Sequence, residues 1–156
     1  MKPGEIIRII VLTVLGWVLM FYGQPLIYQS RLIRVADVPL TTWLSDYYTV
    51  GAWVVFLASV GATLVWTFMT TRAKASGALD VFRWQVVWWL LGLLPILGIC
   101  IALYFFNESD DALLSLAGFF IFNGLFWLYW LPTVTSSPGL FRNIPPGSPL
   151  IRRLIG

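Results

Sequence analysis

The sequence contains no histidine and a single cysteine, Cys100. Histidine is the commonest haem and metal ligand and the usual general base, so a haem or zinc site is not expected. One cysteine rules out an internal disulfide and an iron–sulfur cluster held by this chain alone. No Walker A or dinucleotide-type glycine motif is present. The sequence therefore gives no support for redox, metal or nucleotide chemistry carried by this chain itself.

Charge is also scarce, and four long stretches carry none. Only 11% of the residues are charged, whereas 59% are hydrophobic. The uncharged stretches are Ile9–Ile27, Thr49–Thr71, Trp84–Phe106 and Ala112–Leu131. A helix needs ~20 apolar residues to cross the ~30 Å hydrocarbon core, and such uninterrupted runs favour helices over the alternating strands of a barrel. The sequence predicts an all-α integral membrane protein, with residues 1–131 forming an antiparallel bundle of four transmembrane helices.

The basic residues lie mostly on one side of this predicted membrane domain. Of the ten Lys and Arg residues, only Arg31 and Arg34 fall in the connections on the other side. The remaining eight flank the spans on the side of both chain termini, namely Lys2, Arg8, Arg72, Lys74, Arg83, Arg142, Arg152 and Arg153. Because cytoplasmic loops carry the excess of Lys and Arg, both termini are predicted to be cytoplasmic, or stromal in a thylakoid. A bacterial inner membrane or a thylakoid-type membrane is the expected location.

Prolines mark irregular places in the predicted helices. Pro25 is expected to kink or end the first span, and Pro95 to kink the third. The connection from Gln29 to Tyr48 has an amphipathic pattern that predicts a short helix on the outer membrane surface, with Pro39 limiting its length.

The segment 132–156 differs from the rest because it combines five prolines with many apolar residues. It is predicted to be an irregular cytoplasmic tail. Disordered tails are usually poor in apolar residues, so we expect this one to dock on a partner protein or on the anionic membrane surface. The expected partner-binding residues are Leu140, Phe141, Arg142, Ile144, Leu150, Ile151, Arg152, Arg153 and Leu154.

Small and hydroxylic residues on the second span predict a helix-packing face. They are Gly51, Ala58, Ser59, Ala62 and Thr63, and they allow another backbone to approach closely. This span is therefore expected at the centre of the bundle.

Asn123 is the strongest polar group within a span. An interhelical hydrogen bond, worth roughly 0.6–2 kcal/mol, is the favoured interpretation. The alternative is a ligand-binding role, in which Asn123 contacts a pigment metal or a lipid headgroup. No cofactor is expected. Binding of a lipid, a carotenoid or chlorophyll at the periphery is kept as an alternative. Glu108, Asp110 and Asp111 indicate a helix cap rather than a metal site.

Because the residues and motifs typical of catalysis and of metal or nucleotide binding are missing, we rank three functions. The favoured one is a non-catalytic accessory or assembly subunit that packs against a larger membrane protein complex and its lipids, a kind of protein common in photosynthetic and respiratory membranes. A small homo-oligomeric transporter or channel is the alternative, with Ser59, Thr63, Thr67 and Asn123 lining the pore. A membrane enzyme acting on lipid ranks third, because no constellation of catalytic groups is visible. Neither a nucleic-acid partner nor a soluble substrate is expected.

Overall fold

Four long helices make up most of the described part of the chain. The computed structural model describes residues 3–73 and 78–155, which contain helices and no strand. The four long helices are α1 (Pro3–Gln29), α2 (Leu40–Arg72), α3 (Ala78–Phe105) and α4 (Asp110–Ser136). All four are long and apolar enough to cross a membrane. This confirms the predicted all-helical chain with four candidate membrane-spanning helices, which is the pattern of an integral multi-pass membrane protein.

The helices extend beyond the predicted spans. Helix α1 continues through Pro25 to Gln29, and α4 continues through Pro132 to Ser136. Pro95 lies within α3, which runs on to Phe105. The connection Gln29–Tyr48 was predicted to contain a separate short surface helix, but its residues 40–48 are the first turns of α2.

A wider helical turn precedes two of these prolines. The backbone has i→i+5 hydrogen bonding over Leu19–Gly23, just before Pro25, and over Ile121–Trp130, just before Pro132. At the end of the first segment the N–H of Gln24 donates to the Leu19 carbonyl, and at the end of the second the N–H of Leu131 donates to the Phe126 carbonyl. A proline ring normally clashes with the carbonyl four residues earlier. The wider turn relieves that clash, so each helix continues.

Each of these prolines also lacks the N–H that would continue the i→i+5 bonding, and a hydroxyl from α2 bonds to a carbonyl close to each of them. Pro25 cannot donate to Met20, and the Tyr48 hydroxyl lies 2.6 Å from that carbonyl oxygen. Beside Pro132, the Thr63 hydroxyl donates to the Leu128 carbonyl at 2.6 Å. Both hydroxyls belong to α2. This helix therefore bonds to α1 and α4 close to Pro25 and Pro132.

Helix α2 contacts each of the other three long helices. The predicted packing residues lie at these contacts. Ser59, Ala62 and Thr63 are buried, and Ala58 is half-buried opposite Gly98 of α3. Gly51 is also buried, and a methyl group added to it would lie only 3.3 Å from the Ala102 methyl of α3.

Contacts between distant residues define the two ends of the bundle. At one end the hydroxyls of Tyr28 and Ser115 lie 3.0 Å apart, which joins the end of α1 to the start of α4. At the other end Arg8 Nη1 donates to the Thr135 carbonyl at 2.8 Å, which joins the start of α1 to the end of α4. Helices α1 and α4 are therefore antiparallel. We call the end with Arg8 and Thr135 the tail end, and the end with Tyr28 and Ser115 the loop end.

Candidate functional site

The segment after α4 folds back over the tail end of the bundle. It contains a short 3₁₀ turn, Gly139–Asn143, and the helix α5, Ser148–Ile155. Phe141 and Ile144 are only 4% and 3% exposed. They lie in one apolar cluster with α2, α3 and α4, whose buried members are Ala62, Trp66, Trp88, Tyr129, Phe141 and Ile144. The segment is thus attached to the bundle by two buried side chains.

Three indole N–H groups fix the path of the chain at this end. Trp66 Nε1 donates to Ser137 Oγ at 2.8 Å, and Trp88 Nε1 donates to Thr133 Oγ1 at 3.0 Å. Trp130 Nε1 donates to the Pro146 carbonyl at 2.9 Å. An indole has a single donor, so these three are used to hold the end of α4 and the tail. The tail is therefore held in place by bonds within the chain itself.

The predicted partner-binding residues separate into inward and outward groups. Phe141 and Ile144 face the bundle, whereas Leu140 is 52% exposed. Arg142 and Arg153 are also exposed, and Ile151 is half-buried. The side chains of Leu150, Arg152 and Leu154 lie outside the described residues. The outward group thus joins an apolar side chain to two cations on one fixed segment.

An aromatic groove lies beside this segment. Its cavity of about 320 Å³ is almost entirely apolar. It is lined by Trp88, Trp89, Ile121, Leu125, Phe126, Tyr129, Trp130 and Pro146. The Tyr129 hydroxyl donates to the Trp88 carbonyl, and the indole N–H groups of Trp88 and Trp130 are already bonded within the chain. The groove therefore presents mainly ring faces, which suit a hydrocarbon chain or a flat apolar molecule.

Asn123 lies in the wide-turn segment of α4 and is 1% exposed. Within residues 3–73 and 78–155 its Nδ2 has no hydrogen-bond partner. The predicted interhelical hydrogen bond is therefore not formed through that nitrogen. The next residue, Gly124, packs so tightly on α2 that an added methyl would lie 2.6 Å from Val55 and 3.1 Å from Ser59.

Sequence reasoning missed a second polar cluster, at the loop end. The Tyr48 hydroxyl lies 2.5 Å from Gln24 Oε1 as well as close to Met20, and Gln24 Nε2 donates to the Phe119 carbonyl at 3.4 Å. By its sequence Gln24 is only a polar residue near the end of a span. Pro25 is a signal for the Met20 carbonyl that needs a donor, but no sequence signal marks Gln24 itself.

Among the described residues, no group of three His, Cys, Asp or Glu side chains is placed to hold a metal ion. Comparison with protein-family models, with curated proteins and with solved structures finds no match to this chain. The functional argument therefore rests on the residues themselves.

Proposed function

We propose that this protein is an accessory or assembly subunit that binds and stabilises a larger membrane protein complex, without a reactive group of its own. The observation that supports it best is the anchored tail. Buried Phe141 and Ile144 hold the segment, while Leu140, Arg142 and Arg153 stay exposed. A surface already fixed in its binding conformation loses less entropy on association. Such a surface suits a stable contact with a neighbouring subunit.

We further propose that the tail end faces the cytoplasm, or the stroma, of a bacterial inner membrane or a thylakoid-type membrane. The support is the distribution of basic residues, eight of ten on the side of the termini. Arg8 at the start of α1 and Arg142 in the tail belong to that group. The partner surface would then be cytoplasmic or stromal, where Arg142 and Arg153 can also contact anionic lipid headgroups.

The polar groups within the spans also favour this function over transport. A homo-oligomeric channel would need Ser59, Thr63, Thr67 and Asn123 to face a pore shared by several copies. In a single copy Thr67 is half-buried, whereas Ser59, Thr63 and Asn123 are only 0%, 2% and 1% exposed. Their burial argues against a pore lined by these residues.

The aromatic groove gives this subunit a place for a peripheral apolar ligand. We propose a lipid acyl chain or a carotenoid there, because the lining offers ring faces and few polar atoms. Chlorophyll is less well suited to it, since histidine, the usual axial ligand for its magnesium, is absent from the chain.

Native purification with a point-substituted tail tests the proposed function. The tagged protein, extracted in mild detergent, is expected to copurify in constant ratio with larger subunits. Leu140→Ala combined with Arg142→Gln and Arg153→Gln should lower that ratio at least fivefold, because these side chains are exposed and not needed by the bundle. The ratio is measured by quantitative mass spectrometry of the eluate.

The matched control is Leu114→Ala at the loop end, since Leu114 is 86% exposed and distant from the tail. It should leave the ratio unchanged. A pure homo-oligomer that passes solute in liposomes would contradict the proposal and favour the channel.

A further inference from the structure

The connection between α1 and α2 encloses a pocket at the loop end, opposite the tail. Its cavity of about 460 Å³ has polar and apolar lining in similar amounts. A water molecule occupies ~30 Å³ of liquid, so the pocket has room for a group much larger than one water. The lining residues are Tyr28, Arg31, Leu32, Ile33, Arg34, Val35 and Leu40.

Two exposed arginines, Arg31 and Arg34, belong to this pocket. The other eight basic residues lie on the side of the chain termini, whereas these two lie on the opposite side. Within the described ranges neither guanidinium is paired with a carboxylate. The pocket thus offers two uncompensated cations at one place.

The backbone at Arg31 adds an independent observation. Its φ is +60°, and among the residues that the structure describes it is the one non-glycine with a positive φ. This position follows the end of α1, where the Arg31 N–H bonds to the Tyr28 carbonyl. Glycine is the usual residue at such a helix end, because a side chain is strained there. Arg31 thus has an unfavourable backbone conformation, which indicates that its side chain has a role.

The favourable effect of a cation at a helix C-terminus is one such role, but it accounts for Arg31 alone. Arg34 lies beyond the helix, in the same pocket. The Tyr28 hydroxyl is already bonded to Ser115, and Arg31 and Arg34 are the charged residues of the lining. Leu32, Ile33 and Val35 supply apolar walls.

We propose that this pocket binds a phosphate group, most favourably the headgroup phosphate of an anionic lipid. Guanidinium groups bind phosphate oxygens through paired N–H donors. The apolar walls would contact the glycerol and the first carbons of the acyl chains, which free phosphate lacks. The proposal rests on the loop end alone and is independent of the proposed accessory function.

Lipid titration followed by native mass spectrometry tests the pocket. The full chain, purified in neutral detergent, is titrated with phosphatidylglycerol, with phosphatidylcholine and with inorganic phosphate. One phosphatidylglycerol is expected to bind at least fivefold more tightly than phosphatidylcholine. Arg31→Gln and Arg34→Gln should each weaken it about fivefold, the effect of one basic residue near an anionic surface. Arg83→Gln, an exposed arginine at the other end, is the matched control and should leave it unchanged.

The outcomes separate the two sources of phosphate. Inorganic phosphate that binds without any preference for the lipid would assign the pocket to a soluble anion and would still support the site. Equal binding of the two lipids with no response to phosphate, or an equal loss in the Arg83→Gln variant, would overturn it.

Arg31→Gly separates binding from folding. Glycine relieves the strained backbone, so thermal stability in lipid-free detergent should rise by a few degrees. Affinity for phosphatidylglycerol should fall as in Arg31→Gln. A glycine variant that keeps full affinity would contradict the role given to the side chain.

Discussion

The buried Thr63 hydroxyl of α2 bonds to the Leu128 carbonyl of α4, so stability is expected to be sensitive to this single residue. Thr63→Val keeps the shape of the side chain but removes the hydroxyl that donates to the Leu128 carbonyl. The substitution thus removes a buried hydrogen bond between two helices. We expect the free energy of unfolding in detergent to fall by about 1–2 kcal/mol, near the upper end for a hydrogen bond within a membrane protein.

Thr71→Val is the control for this substitution. The Thr71 side chain is exposed, and its hydroxyl bonds to the Phe68 carbonyl of its own helix at 2.9 Å. Its loss breaks no contact between helices and should change stability by less than about 0.5 kcal/mol. Equal effects at the two positions would mean that the Thr63–Leu128 bond adds nothing to stability.

Two buried amides, Asn123 and Gln24, are expected to respond oppositely to the same change. Asn123→Leu removes a side-chain nitrogen without a partner in the described structure, so stability should stay equal or rise by up to about 1 kcal/mol. Gln24→Leu removes one of the two acceptors of the Tyr48 hydroxyl and the donor to the Phe119 carbonyl, and it should lower stability by about 1–2 kcal/mol. Chemical unfolding of both variants gives the comparison. A strongly destabilised Asn123→Leu would show that the amide has a partner of its own.

Within α4, we expect Pro132 to be coupled to the Thr63 hydroxyl of α2. Pro132→Ala supplies a backbone N–H that reaches the Leu128 carbonyl once the turn narrows to i→i+4 bonding. In that background Thr63→Val should cost less than in the native chain, with a coupling of about 0.5–2 kcal/mol in a double-mutant cycle. The four unfolding free energies measure it. Strict additivity would contradict the link between this proline and Thr63.

The same prolines explain which helix boundaries were predictable. Long apolar runs located all four helices, because span length is set by the membrane. The behaviour of α1 at Pro25 and of α4 at Pro132 was not predictable from local sequence. Continuation there depends on the wider turn and on Tyr48 and Thr63, which lie far away in the chain. A local rule for proline carries no information about a donor from another helix.

The candidate site at the tail was predictable only in composition. Apolar residues after Pro132 indicated that the segment rests on something. Burial of Phe141 and Ile144 against its own bundle depends on indole side chains of α2 and α3, and Trp66 and Ser137 are separated by 71 positions in the sequence. Sequence pattern does not pair residues so far apart. The structure was needed to separate the buried Phe141 and Ile144 from the exposed Leu140, Arg142 and Arg153.

At the scale of the whole molecule, the two ends of the bundle carry different surfaces. The tail end has a fixed segment with exposed Leu140 and Arg142, and the loop end has a pocket with Arg31 and Arg34. Both proposals therefore concern membrane faces, while the polar groups between them mainly join helices. Orientation decides which surface meets the cytoplasm.

Cysteine labelling in intact cells tests that orientation. In a Cys100→Ala background, Ser30→Cys and Asn143→Cys place exposed thiols at the loop end and the tail end, respectively. Because the tail end carries most of the basic residues, a membrane-impermeant maleimide should label position 30 from outside, and position 143 only after lysis. Labelling is read as a mass shift on gels, with the Cys100→Ala chain as the blank. The reverse pattern would place Leu140 and Arg142 outside the cytoplasm, and a cytoplasmic or stromal partner for the tail would then be ruled out.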